Sequence, residues 1–91
     1  FSRYHFDESD AKLITRHFED YEKEGYRLIN LGLYLPAYDM VCKCSHLFNL
    51  LDARRAISVS ERALYIARVR GLAKKVMSAY VEFKEGEMLG V

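Results

Sequence analysis

The chain has 91 residues, 51% hydrophobic and 30% charged, with one proline and no tryptophan, which describes one small globular domain and excludes a disordered tail. Fourteen basic against thirteen acidic residues leave a formal charge of +1, which excludes the strong electrostatic footprint of a general nucleic-acid binder. No apolar run reaches the roughly 18 residues that span a bilayer, and Phe1-Ser2-Arg3-Tyr4-His5 lacks the apolar core of a signal peptide, so a soluble, cytoplasmic protein is expected. Opening on Phe1 rather than Met, the chain reads as an excised piece of a longer one.

From Asp7 to Leu31, Ala11, Ile14, Phe18, Tyr21, Gly25 and Leu28 recur at alternating spacings of three and four, one stripe of a helix placed at about residues 8–31. Asp7 or Ser9 can cap its first N–H groups, and Gly32 offers a left-handed stop. The opposite face, with Lys12, Arg16, Glu19, Asp20, Glu22, Lys23 and Glu24, mixes both signs and reads as solvated.

Pro36 suits the first turn of a second helix, residues 36–51, because an N–H is not needed there. Its stripe is Ala37, Met40, Val41, Cys44, Leu47, Phe48 and Leu51. Ser58-Val59-Ser60-Glu61 fits a capping box, in which hydroxyl and carboxylate each satisfy the other's backbone donor. A long third helix, residues 59–85, follows with Ala63, Ile66, Val69, Ala73, Val76, Met77, Tyr80 and Phe83 as its stripe, and Gly71 inside it suggests a close helix crossing. No segment alternates with the period of a strand. The expected fold is all-α, a single three-helix bundle-like domain with a long third helix.

The cysteines, Cys42 and Cys44, stand two apart, so on a helix they diverge by about 200° and share neither a metal nor a disulfide. His5, His17 and His46 supply no second pair at zinc-ligand spacing. Cys42 and His46, four apart, make two ligands at most. Two reduced thiols, with Cys44 in the core, are expected, and no Gly-rich turn accompanies a Cys-His nucleophile. No metal, catalytic or cofactor-binding residue is assigned.

The charges near the third helix are more informative. Arg70 interrupts its apolar stripe and Arg62 borders it, so each needs an acceptor, and Asp52, in the apolar run Leu50-Leu51-Asp52-Ala53, is the nearest candidate. An ion pair of Asp52 with Arg62 or Arg70 is therefore expected at the corner between the second and third helices. Arg54, Arg55, Arg68, Lys74 and Lys75 complete the basic stretch and are candidate contacts for an RNA or another subunit, although helical spacing spreads them around the cylinder.

Leu35-Pro36-Ala37-Tyr38-Asp39, the block from Ser45-His46-Leu47-Phe48-Asn49-Leu50-Leu51-Asp52-Ala53-Arg54-Arg55 through Ser58-Val59-Ser60-Glu61-Arg62, and Tyr65-Ile66-Ala67-Arg68-Val69-Arg70 together closely resemble the C-terminal helical part of the alpha subunit of bacterial-type heterotetrameric glycyl-tRNA synthetase. Phe18-Glu19-Asp20-Tyr21-Glu22-Lys23-Glu24 is similar to it as well, and the resemblance runs from about Phe6 to Tyr80. Cys42 and Cys44 stand where that family usually carries aliphatic or small residues, and the tail from Glu82 follows it only loosely.

The resemblance implies a class II aminoacyl-tRNA synthetase, whose alpha subunit forms glycyl-adenylate from glycine and ATP with Mg²⁺ and joins a beta subunit in an α2β2 tetramer. The antiparallel sheet and the arginines that hold ATP would lie in a separate catalytic domain. This chain alone is then expected to be inactive, packing on that domain and contacting the beta subunit, tRNA(Gly) or both. The competing reading is an independent helical protein-interaction module with no link to aminoacylation.

Overall fold

A computed structural model describes residues 8–88, and their side chains from Asp10 to Glu87. The chain forms three helices, α1 (Glu8–Asn30), α2 (Tyr34–Ala53) and α3 (Val59–Met88), with no strand among the described residues. The fold is thus all-α. Asp7 and the tail beyond Met88 lie outside the described residues, as does the side chain of Ser9, the other expected cap.

α1 ends in a Schellman turn. The N–H groups of Gly32 and Leu33 donate to the carbonyls of Ile29 and Leu28, both at 2.9 Å, and Gly32 takes φ +76°, which glycine adopts without a Cβ clash. The chain reverses within three residues, so α2 runs back along α1. It begins at Tyr34, two residues before Pro36, and the proline still sits within the first turn.

Cross-helix pairs fix the directions. Cys44 Sγ lies 3.7 Å from the Phe18 carbonyl, Phe48 stacks on Tyr65 at 6.2 Å, and Tyr34 meets Tyr80 edge-on at 6.1 Å. α2 is therefore antiparallel to both neighbours, giving an up-down-up bundle. Its core holds Phe18, Leu28, Ile29, Ala37, Val41, Cys44, Phe48, Leu51, Tyr65, Leu72 and Val76. No buried side-chain polar atom among the described residues lacks a partner.

α3 follows the expected stripe only in part. Val76 lies in the core and Ile66, Val69 and Ala73 pack against it, but Tyr65 and Leu72, off the stripe, are buried as well, whereas Ala63, Met77, Tyr80 and Phe83 are exposed. Apolar residues surround α3 almost completely, so periodicity leaves its rotation open, and the tertiary partners of Tyr65 and Arg68 decide it. At about 1.5 Å per residue α3 is also some 15 Å longer than α2, so its last turns overrun the bundle.

Gly71 makes no close crossing. It is exposed, and a Cβ there would first meet Tyr26 Oη at 3.9 Å. The close approach falls at buried Gly25, where a Cβ would lie 3.0 and 3.1 Å from the Leu72 methyl carbons and 3.3 Å from Met40 Cβ.

Candidate functional site

The corner between α2 and α3 is built by two local motifs. α2 closes in a second Schellman turn, with Arg55 N–H on the Asp52 carbonyl at 3.0 Å and Ala56 N–H on the Leu51 carbonyl at 2.9 Å. Arg55 takes φ +55° there. α3 then opens on the complete capping box: Ser58 N–H donates to Glu61 Oε1 at 2.8 Å and Glu61 N–H to Ser58 Oγ at 3.1 Å.

Across this corner Arg62 Nε donates to both carboxylate oxygens of Asp52 at 3.2 Å, and its guanidinium lies 6.0 Å from the Phe48 ring centre. The geometry brings Asp52 to Arg62 and not to Arg70, which is exposed further along α3. Neither member is buried: the side chains are 38% and 52% exposed. Water screens the pair, whose worth is about 0–1 kcal/mol.

The five candidate contact cations separate. Arg54 and Arg55 are exposed at the corner; Lys74 and Lys75 are exposed on α3, about 22 Å beyond its start. Arg68 instead turns inward. It donates to Glu22 at 2.6 and 3.1 Å, and its guanidinium lies 4.8 Å from the Phe18 ring centre and 5.4 Å from that of Tyr65. The Glu22 hydrogen bonds hold the Arg68 charge above the ordinary arginine range, against the opposing effect of burial.

Glu22 is therefore no member of a solvated face, and its partner lies 46 positions away in sequence. Its place on the helical surface beside Phe18 was the available signal.

Cys42 is exposed and Cys44 buried. Burial first, then the Glu22 charge, pushes the Cys44 thiol from 9.0 up to about 11, with Arg68 pulling the other way. Cys42 and His46 line one open depression with Tyr21, Asp39, Lys43 and Leu47. Among the described residues, no three His, Cys, Asp or Glu side chains converge as a metal site, and no helix is long and apolar enough to cross a membrane.

An apolar groove of about 240 Å³ lies between the start of α2 and the overrunning end of α3, lined by Tyr34, Leu35, Tyr38, Val76, Met77 and Tyr80. Sequence patterning missed it because it had placed Met77 and Tyr80 in the core.

The described residues thus form a packed three-helix bundle with exposed cations at one corner and an open apolar groove toward the opposite end of α2. Comparison with known families gives its class. Residues 1–85 match the family model for the glycyl-tRNA synthetase alpha subunit, and the chain belongs to that family. The match extends five residues beyond each end of the stretch from 6 to 80 that carries the sequence motifs. Membership places the chain among the aminoacyl-tRNA synthetases, ligases of protein biosynthesis, and an alpha subunit implies a beta subunit as partner.

Proposed function

We propose that this chain is the non-catalytic, C-terminal helical part of a glycine-tRNA ligase alpha subunit, packing on the catalytic domain of the same subunit and offering a face to the beta subunit, to tRNA(Gly), or to both. The observation that carries this reading is the coincidence of the family match with a wholly helical bundle whose charges serve its packing or lie open on its surface. The apolar groove supports the packing role: Leu35, at 81% exposure, Tyr38 and Met77 form a continuous surface of the kind that marks contacts with other proteins.

ATP and Mg²⁺ belong, in this reading, to the catalytic domain, where they activate the glycine carboxylate. In-line attack on an α-phosphate needs a positioned nucleotide, a metal and cationic clamps. Arg62 and Arg68 are both engaged with acids of the bundle, and in this reading the chain takes no part in the chemical step. The cytoplasm, where tRNA is charged, is its place of work.

Glycine-dependent exchange of pyrophosphate into ATP tests the reading. The whole ligase supports exchange and the folded 91-residue chain alone does not; exchange by the chain alone overturns the assignment.

A further inference from the structure

The same hydrogen-bonded turn closes α1 and α2. At the end of α1 the left-handed position holds Gly32, with φ +76°; at the end of α2 it holds Arg55, with φ +55°, the one positive-φ residue other than glycine among the described residues. An L-residue there carries a steric cost that glycine avoids. Nothing in the bundle accounts for the arginine. Among the described residues its side chain makes no hydrogen bond or ion pair, and the motif itself uses only backbone groups. The attraction of a helix C-terminus for cations is met equally by Arg54, one residue earlier and outside the left-handed position.

The neighbouring acids are occupied. Asp52 holds Arg62, and Glu61 is committed to the Ser58 N–H. Arg55 is thus an exposed cation without a compensating acid, presented at a tight turn next to exposed Arg54. The guanidinium fork matches the paired oxygens of a phosphate, and the ligase family acts on an RNA, whose phosphates recur along its length.

We infer that Arg55 is kept in the left-handed position, against local stability, because it contacts a phosphate of the bound tRNA. This rests on the proposed function and names the residue and the chemical group through which the corner meets RNA. The contact positions the tRNA and takes no part in glycine activation.

The test uses the whole ligase containing this chain, with Arg55→Gly and Arg55→Lys, and tRNA(Gly) affinity measured over a salt series. Arg55→Gly is expected to weaken binding roughly fivefold at 0.15 M salt and to make the slope of log K against log salt shallower by about 0.7–0.9, the counterion release of one phosphate. Its melting temperature does not fall and its pyrophosphate exchange is unchanged, while Arg55→Lys keeps the wild-type slope. An unchanged slope and affinity in Arg55→Gly overturns the inference. So does unchanged tRNA binding with weakened association of alpha and beta subunits, which assigns Arg55 to an acidic protein surface. Failure of the underlying reading looks different: the wild-type enzyme itself then charges no tRNA with glycine.

Discussion

Arg68 on α3 donates two hydrogen bonds to Glu22 on α1, at 2.6 and 3.1 Å, while lying 4.8 Å above the centre of the Phe18 ring. The pair joins the first and third helices, which no loop connects directly. Its side chains are 35% and 18% exposed, so solvent screens it less than the Asp52–Arg62 pair.

Arg68→Ala removes charge-assisted hydrogen bonds and a cation–π contact and leaves Glu22 without its partner. A loss of about 2 kcal/mol is expected, the low part of the range because Arg68 remains partly in water. In thermal unfolding of the 91-residue chain this reads as a fall of about 10 °C. A loss below about 0.5 kcal/mol would show the pair to be ornamental.

Gly25 on α1 and Gly71 on α3 respond in opposite directions to alanine. Gly71→Ala places a methyl group on an exposed surface and gains up to about 1 kcal/mol of helix propensity. Gly25→Ala drives its methyl to within 3.0–3.3 Å of Leu72 and Met40. Leu72 is itself fully buried, so its methyls have little room to retreat, and overpacking of about 1–3 kcal/mol exceeds the propensity gain. Paired denaturant titrations decide it: a stabilising Gly25→Ala would mean that the three helices cross further apart than described.

The cysteines differ in reactivity and leave a mark on pH dependence. At neutral pH a thiol reagent modifies Cys42 rapidly and Cys44 only upon unfolding. Because the folded thiol of Cys44 titrates near 11 rather than 9.0, the unfolded chain releases that proton first. The contribution is complete below about pH 9 and is lost as pH rises toward 11. Comparing the pH slope of stability between pH 9 and 11 in wild type and Cys44→Ala isolates it from tyrosines and lysines; an unchanged slope would contradict the burial.

What was legible in the sequence was local. The capping box needs only Ser58 and Glu61 three positions apart, and its two bonds form as that spacing dictates. The stop at Gly32 depends on one residue's conformational freedom. The stripes of α1 and α2 were readable because polar residues flank them; buried Phe18, Leu28, Val41 and Phe48 fall on them.

The rotation of α3 was legible only in part: Ile66, Val69, Ala73 and Val76 meet the core, but Tyr65 and Leu72 lie off the expected stripe, because apolar side chains surround the helix and distant partners choose among its faces. Arg68 looked like its neighbours Arg62 and Arg70 until Glu22 was brought to it. Arg70 is itself exposed, so it needed no acceptor. At the corner, the Arg54–Arg55 charge could be read, but the left-handed conformation of Arg55 is a property of the turn.

A docking role for this chain means a division of labour inside the ligase. The measurement is the rate of tRNA(Gly) aminoacylation beside that of glycine-dependent pyrophosphate exchange, in the whole ligase carrying Arg54→Glu, Arg55→Glu, Lys74→Glu and Lys75→Glu. A docking role predicts that aminoacylation falls by at least about tenfold through lost phosphate contacts while exchange stays within about twofold of wild type. A parallel fall of both, in a variant that remains folded and assembled, would contradict it by placing this helical part within glycine activation itself.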